Sequence, residues 1–344
     1  SAGGKISMGN QKLAKESLNL NSGKGLKNVI KSVAHVTVAF EFGGAVCSFI
    51  TFYGDFSPEK AVWLSCFHSI AAFNNAGFDL LGDFKSLTDY HADAWLCCST
   101  SGLIIFGGLG FFVIKELISG KTPRKWSLHT KVVITMTVAL IIGGTLFLKA
   151  TEGGDISWLE AYFQSVSSRT AGFASISMGN LSKAGLMVIM LLMFIGASPA
   201  STGGGIKTTT FFAVVLFIYS VVHQRQDYNV RHRRLNEQVV KRSLCIFSLA
   251  LGLVLVGTLL VSSAETVAGD PIPLENVMFE VISAFGTVGL TANVTMGLCA
   301  FSKVVVTIIM FFGRLGPLTL SMALSGGSDR SNSIRYPEER MMVG

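Results

Sequence analysis

The sequence predicts an all-α polytopic membrane protein made of repeated units. Each unit contains a membrane span, a short helix, a glycine-ended strand and a second span. Half of the 344 residues are hydrophobic, only 14% are charged, and the mean hydropathy is +0.53. Several apolar stretches reach the roughly 20 residues that a membrane helix needs. A related short segment also occurs three times between the long ones, which indicates an internal repeat.

The repeated segment occupies residues 67–78, 163–173 and 279–290. Each copy runs from apolar to polar residues and ends in a small residue, a Gly and an apolar residue. In the first, second and third copies, the Gly lies 10, 9 and 10 residues after the first Phe. Ordinary membrane helices do not explain a half-length segment that ends in Gly at the same place in every unit.

The third copy contains Thr287-Val288-Gly289, a tripeptide suited to a potassium filter. A β-branched pair followed by Gly can turn successive backbone carbonyls toward one axis, where they replace the water around an ion. Irregular backbone at membrane depth is tolerated where it lines a water-filled cavity or is buried in protein. We therefore expect units of span, pore helix, filter strand and span around a central ion pathway. The candidate filter residues are Asn74, Asn75, Ala76, Gly77, Arg169, Thr170, Ala171, Gly172, Gly286, Thr287, Val288 and Gly289.

In chain order, the predicted spans cover residues 26–53, 94–118, 130–150, 184–223, 239–264 and 301–324. Start signals precede the short helices: Ser57 with Pro58, a capping-box pattern at Ser157 and Glu160, and prolines before residue 274. The predicted organisation is a cytoplasmic linker (1–25), three units (26–120, 121–225 and 226–326) and a cytoplasmic tail (327–344).

Charge predicts the orientation of the chain. The net charge is +7, and basic residues concentrate within 5–31, 115–131, 225–242 and 330–340, whereas the other connections are acidic. The positive-inside rule places the basic segments in the cytoplasm. Their position between membrane segments argues against nucleic-acid binding. The six Cys and six His show no metal-ligand spacing and no nucleophile–base arrangement is visible, so we expect neither an enzyme nor a resident metal.

The predicted span 184–223 is about twice as long as one membrane crossing requires. It is interrupted by a Gly/Ser/Thr-rich segment that cannot stay regular helix, and Lys207 closes that segment. We expect a gating loop at mid-membrane; a tight turn outside the membrane is the alternative. The candidate gating residues are Gly196, Ala197, Ser198, Pro199, Ala200, Ser201, Thr202, Gly203, Gly204, Gly205 and Lys207.

Arg314 is an ionisable residue within the last predicted span. A charge in an apolar span is costly, so it indicates an ion pathway or a specific partner. A structural ion pair is the alternative, and a positive charge near the lower pore would tune the passage of cations.

These motifs resemble the TrkH/KtrB/HKT superfamily of potassium transporters, and most of all its KtrB branch. The resemblance rests on Asn-Asn-Ala-Gly-Phe, Arg-Thr-Ala-Gly-Phe, Gly-Thr-Val-Gly-Leu, the glycine-rich interruption, Gly-Arg-x-Gly-Pro and the tail at 335–339. It implies that the filter glycines are Gly77, Gly172 and Gly289, that 196–205 is the gating loop, and that Arg314 is the inner-pore charge. It also implies potassium uptake across the plasma (inner) membrane by a homodimer in lipid, gated by a cytoplasmic RCK-type nucleotide-binding ring.

One feature departs from the family pattern. The family has four units, whereas three are visible here, and residues 1–25 resemble the linker that follows its first unit. We therefore expect a partial sequence that lacks the first unit, and the first filter residue, which bears on potassium or sodium selectivity, is not visible. The expected ions are potassium and, as a coupling ion, sodium; the sequence is compatible with both channel-like and sodium-coupled transport. A non-transporting remnant or membrane scaffold is the alternative function.

Overall fold

The computed structural model describes residues 26–82, 85–225, 227–231 and 233–316, and side chains from residue 30 onward. The predicted linker 1–25 and tail 327–344 lie outside the described residues, as does the last part of the third unit. The described chain is almost entirely helical. Its helices are α1 Leu26–Asp55, α2 Pro58–Phe73, α3 Ala94–Leu109, α4 Phe111–Ile118, α5 Leu128–Glu152, α6 Trp158–Ser167, α7 Lys183–Phe194, α8 Thr208–Val222, α9 Glu237–Ala268, α10 Leu274–Gly286 and α11 Ala300–Leu315. Strands β1 Asn229–Val230 and β2 Arg233–Arg234 pair in antiparallel fashion between α8 and α9.

Within the described residues, three helices are long and apolar enough to cross a membrane. They are Ile30–Asp55 within α1, Leu128–Glu152 and Glu237–Ala268, close to the three corresponding predicted spans. Large apolar side chains point outward from each of them, including Phe42 at 72% exposure and Leu259 at 66%. A lipid bilayer would cover these faces, which indicates a multi-pass membrane protein.

The predicted span 94–118 is present as two helices and not as one continuous helix. It breaks at Gly110 into α3 and α4, which meet at an angle of 106°. Gly110 has φ +87°, a left-handed value that Gly adopts at little cost. The break frees the backbone N–H of Phe111, which donates to the carbonyl of Ala200 at 3.1 Å. The bend is thus stabilised by a loop from a different unit.

Of two other predicted spans, one divides as expected and the last ends earlier than expected. The segment 184–223 divides into α7 and α8, as its glycine-rich interruption predicts. The last span was expected to reach residue 324, but α11 ends at Leu315 because Gly316 follows with φ +85°. Residues 317–324 lie outside the described residues.

The short helices α2, α6 and α10 begin close to where the sequence predicts. Ser157 and Glu160 form the expected capping box: Glu160 N donates to Ser157 Oγ at 3.2 Å and Ser157 N donates to Glu160 Oε2 at 2.6 Å. At α2, Pro58 occupies the first turn, but the Ser57 side chain makes no capping hydrogen bond. The expectation that Ser57 acts as a side-chain cap is therefore wrong.

A repeated glycine contact positions each short helix against the long helix before it. Each long helix carries a Gly whose missing Cβ leaves room for a side chain of the short helix and an aliphatic side chain of a later helix. The three sets are Gly44 with Ser69 and Leu103, Gly144 with Ser165 and Leu192, and Gly257 with Val281 and Ile309. The close approach sets the depth of the short helices in the bundle.

Candidate ion pathway

The three short helices end in the same backbone conformation. Asn75, Thr170 and Thr287 each lie two residues before the loop Gly and have φ values of 51°, 74° and 51°. Left-handed backbone is uncommon outside Gly, above all for β-branched Thr. Its recurrence at one position shows that the repeat in sequence is also a repeat in backbone shape.

The first and third helices end in a Schellman motif, in which a left-handed residue lets two N–H groups return to the last turn. The bonds run from Ala76 N to Ala71 O at 2.8 Å, Asn75 N to Ala72 O at 3.2 Å, Val288 N to Ser283 O at 2.9 Å, and Thr287 N to Ala284 O at 3.0 Å. The second helix closes differently, because Ala171 N and Gly172 N both donate to Ser167 O, at 2.9 and 3.2 Å. The second loop thus keeps the left-handed residue but is closed by a different pair of hydrogen bonds.

The structure brings the three loops together. A Cβ added at Gly77 would collide with the backbone carbonyls of Ala171 and Gly172, and one added at Gly172 would collide with the carbonyl of Val288. At Gly289, in contrast, an added Cβ would meet no atom of the described residues within 4 Å. The loops therefore lie side by side in the order first, second, third, with backbone carbonyls at the contacts.

Two predicted filter residues turn their side chains away from these contacts. Asn74 Nδ2 donates to Glu41 Oε1 in α1 at 2.8 Å. The Arg169 side chain is buried and lines a small cavity with Thr137 and Ala197. Both residues contribute backbone to their loop, whereas their side chains pack on the side away from the other loops.

Asn75 and Gly286 lie at other contacts around the loops. Asn75 Nδ2 donates to Thr170 Oγ1 at 3.2 Å, joining the first loop to the second. A Cβ on Gly286 would lie 2.8 Å from the carbonyl of Met193, at the end of α7. The left-handed residues and their neighbours thus connect the loops to each other and to the interrupted inner helix.

The glycine-rich interruption lies against all three loops. A Cβ on Gly203 would collide with Thr170 Oγ1, and one on Gly204 would collide with Thr287 Oγ1. Thr202 Oγ1 donates to the carbonyl of Phe73, the last residue of α2, at 3.2 Å. The interruption therefore packs within the bundle, beside the ends of all three short helices.

Hydrogen bonds to the bent helix hold this interruption in place. Ser198 N donates to Gly108 O at 3.0 Å, and Thr202 N donates to Gly107 O at 3.3 Å. A parallel bridge between Ile195 and Ile206 closes its two ends. The remaining members follow the same irregular course: Gly196 packs on Gly204, Pro199 and Ala200 pack on Gly110, Ser201 donates to Ser198 O, and Gly205 has φ +65°.

Two cationic side chains bind carbonyls of the interruption. Arg314 Nη1 donates to Thr202 O at 2.7 Å, and Lys207 Nζ donates to Gly203 O at 2.5 Å. Arg314 lies in the last turn of α11, and its side chain is exposed within the described chain. Among the described residues it has no carboxylate partner within ion-pair distance.

Sequence reasoning did not assign specific contacts to two other glycines. A Cβ on Gly107 would collide with Phe73 O, and one on Gly313 would collide with Phe285 O, so each inner helix makes close contact with the end of its short helix. A signal was present, because Gly-Gly-Leu-Gly at 107–110 and Gly-Arg-Leu-Gly at 313–316 align, and the final Gly of each has positive φ.

Within the described residues no group of three His, Cys, Asp or Glu side chains could hold a metal ion. The polar atoms at the loop contacts are backbone carbonyls and hydroxyls, which suit a weakly held alkali cation better than a resident transition metal.

Comparison with known proteins places this geometry in a family. The model of the TrkH cation transport protein family matches residues 3–152 and 126–334, which together cover nearly the whole chain. The chain belongs to the TrkH family of cation transport proteins. The predicted superfamily is thereby confirmed.

Curated relatives of this TrkH-family chain carry specific names. The potassium/sodium uptake protein NtpJ of Enterococcus hirae is 35% identical over 99% of this chain and 77% of its own length. The Ktr system potassium uptake protein B of Vibrio alginolyticus is 34% identical over 99% of this chain and 76% of its own length. The crystal structure of the potassium transporter TrkH from Vibrio parahaemolyticus superposes with a TM-score of 0.68 at 20% identity. The superposition covers 91% of this chain and 68% of the TrkH chain from Vibrio parahaemolyticus, and it shows that the two share a fold.

Proposed function

We propose that this chain moves potassium ions across the plasma membrane along a pathway lined by backbone carbonyls of its three glycine loops. The observation that carries the proposal is the contact between the loops, in which Gly77 packs on Gly172 and Gly172 packs on Val288. Two relatives named for potassium uptake match nearly the whole chain and support the choice of ion.

Potassium suits this arrangement because carbonyl oxygens can replace its hydration shell without a carboxylate. The short helices α2, α6 and α10 end at the loops, and the C-terminal end of a helix carries partial negative charge that favours a cation nearby. In this proposal the units 26–120, 121–225 and 226–326 each supply one pore helix and one filter segment. Gly77, Gly172 and Gly289 are the filter glycines.

We assign the segment 196–205 as a gate, because it contacts all three loops and is held by charged donors. Arg314 and Lys207 bind its carbonyls at Thr202 and Gly203. A hydrogen bond from a charged group contributes about 1.5–3 kcal/mol. Releasing both would be costly enough to hold the segment closed until a regulator or ion shifts the balance.

The proposed assembly is a homodimer in lipid, regulated by a cytoplasmic RCK-type nucleotide-binding ring. A stripe at heptad spacing along α11 supports the dimer, since its side chains are 44–59% exposed within the chain. The stripe comprises Phe301, Val304, Ile308, Phe311 and Leu315. Ktr-system relatives are named as parts of a multi-component system, which supports a regulatory partner.

Uptake of rubidium, a potassium mimic, tests the function directly. Cells that lack their own potassium uptake systems would express the complete natural protein, and uptake would be measured with and without sodium. We expect uptake above background that potassium suppresses by competition; a requirement for sodium would identify sodium coupling. Ion binding without flux would contradict the proposal and favour the non-transporting scaffold.

A further inference from the structure

Glu280 is a carboxylate enclosed within the third short helix. It lies in α10, nine residues before Gly289, and only 5% of its surface is exposed. Burying a carboxylate is costly unless hydrogen bonds or charge partners satisfy its oxygens. The partners of Glu280 therefore indicate what it does.

Every hydrogen bond to the Glu280 side chain comes from the segment that leaves the third loop. Oε1 accepts from Ala292 N at 3.1 Å and from Thr291 Oγ1, and Oε2 accepts from Thr295 Oγ1 at 2.8 Å. The segment 291–295 begins two residues after Gly289. The carboxylate thus connects the helix that enters the loop to the backbone that leaves it.

The equivalent positions of the other loops carry different side chains. His68, nine residues before Gly77, contacts Thr100 Oγ1 of α3 at 2.8 Å, so its partner lies outside its own loop. Gln164, eight residues before Gly172, accepts one long bond of 3.5 Å from Ser175 N. Three hydrogen bonds within one loop are therefore particular to the third copy among the described residues.

The third loop touches its neighbour through Val288, whose carbonyl a Cβ on Gly172 would meet. Its Gly289 meets no atom of the described residues within 4 Å. The hydrogen bonds to Glu280 are therefore contacts that hold the segment leaving this loop from within its own unit.

We propose that Glu280 is a positioning residue for ion selectivity. Its carboxylate fixes the segment 291–295 and thereby holds the carbonyls of Val288 and Gly289 in the orientation that discriminates potassium from sodium. Glu280 acts through this segment and does not touch the ion. The inference rests on the proposed function, since it assigns a selectivity role within the same pathway.

The side chain acts here through hydrogen-bond geometry and not through a charge pair. Within the described residues no cationic group lies within ion-pair distance of Glu280. A Gln at 280 would keep an oxygen for Thr291 and Ala292, and its amide would donate to Thr295 Oγ1, which can accept. A Leu at 280 would lose all three bonds at similar volume.

The test compares four variants of the complete protein in transporter-deficient cells. These are E280Q, E280L, the double variant T291V/T295V and the control E275Q, which alters a partly exposed carboxylate of the same helix. Rubidium and sodium uptake would each be measured over a concentration series to separate KM from maximal rate, with the amount of protein in the membrane measured in parallel. The selectivity ratio does not depend on that amount.

We expect E280L and T291V/T295V to lower the rubidium-to-sodium ratio at least about tenfold, which corresponds to about 1.4 kcal/mol. We expect E280Q and E275Q to remain within about threefold of the natural protein, below 1 kcal/mol on the same scale. If E280L does not reach the membrane, the double variant decides, because it leaves α10 unchanged and removes the two hydroxyl donors.

Three results would overturn the inference. Natural selectivity in E280L or in T291V/T295V would show that the loop does not need this support. An equal fall of the rubidium-to-sodium ratio in E280Q and E280L would show that the effect depends on the charge of Glu280 and not on its hydrogen-bond geometry. Uptake by the natural protein separates this inference from the proposed function. If the natural protein takes up no rubidium, both are overturned. If it takes up rubidium normally and the variants keep its selectivity ratio, only the positioning role of Glu280 is overturned.

Discussion

The first and third loops follow short helices that end in the same way, but the glycines of the two loops have different neighbours. Both follow a short helix that ends in a Schellman motif, and both lie on an inner-helix glycine, Gly107 or Gly313. Yet Gly77 is enclosed by the backbone of the second loop, whereas Gly289 faces open space among the described residues. Within the described residues, the two loops therefore share a backbone shape but differ in what lies beside the Gly.

The left-handed residue shows the same contrast at the level of side chains. Asn75 tolerates this conformation and donates to Thr170. Thr287 adopts it against the preference of a β-branched residue, and its buried Oγ1 has no hydrogen-bond partner among the described residues. The third loop is thus the more strained one, which fits its extra support from Glu280.

Alanine at the two loop glycines tests the contrast most strongly. We expect G77A to reduce rubidium uptake by at least about tenfold, because its Cβ would overlap the backbone carbonyls of the second loop and overpacking costs about 1–3 kcal/mol. We expect G289A to lose less, since it meets no described atom and bears mainly the cost of positive φ, about 1–2 kcal/mol.

The matched control is G82A, because Gly82 has φ +89° and no atom of the described residues lies within 4 Å of the added Cβ. It measures the cost of positive φ outside the loop contacts, by thermal unfolding in detergent. Equal loss of uptake in G77A and G289A would show that both glycines are enclosed and would remove the contrast.

Alanine at Gly107 and Gly313 tests whether the first and third short helices rest on their inner helices in the same way. Each added Cβ would collide with the carbonyl at the end of a short helix, so we expect G107A and G313A to destabilise the protein by similar amounts, about 1–3 kcal/mol. Thermal unfolding measures this, with G102A as the control, because nothing lies within 4 Å of that position on the same helix. A large difference in stability between G107A and G313A would mean that the two helix contacts are not equivalent.

Exchange of the left-handed residues sharpens the contrast in strain. We expect N75T to lower stability by about 1 kcal/mol, because Thr disfavours this conformation and the bond to Thr170 is lost. We expect T287N to be neutral or stabilising, since Asn accepts the same backbone more readily. Equal destabilisation by both variants in unfolding experiments would contradict the assignment of strain to Thr287.

The smallest effect is expected at the start of the third short helix. Lys183 Nζ lies 2.7 Å from Glu275 Oε1, and its hydrogen bond lowers the pKa of the Glu275 carboxyl below the ordinary value of 4.5. The resulting stability is fully present above the unfolded-state pKa and is lost as pH falls through the folded-state value.

Because the pair is exposed, we expect E275Q to shift the Tm at pH 7 by less than about 2 °C. The shift should disappear at a pH below the folded-state pKa. Thermal unfolding from pH 7 to pH 3 measures it, and a larger shift that persists in acid would refute the ion-pair explanation.

The elements of this fold were largely predictable from the sequence. Long apolar runs specify the spans, and the glycine-ended segments specify the short helices. The bend at Gly110 was not predictable in detail, because it depends on a bond from Phe111 to a loop about 90 residues away.

The candidate site was predictable as backbone more than as side chains. Contiguous motifs nominated Asn74 and Arg169, but a left-handed residue follows closely on each and redirects the chain, so their side chains lie behind the loops. Glu280 was missed because a single Glu within a short apolar helix carries no motif. Its function is visible only when Thr291 and Thr295 are seen to return to it.

The central claim is that backbone carbonyls of the three loops hold the transported ion. A structure of the complete protein soaked in thallium or rubidium, with anomalous diffraction to locate the heavy cation, tests this most directly. The account predicts a peak beside Gly77, Gly172 and Gly289, within coordination distance of their loop carbonyls. A cation bound by carboxylates elsewhere, with no peak among the loops, would contradict it.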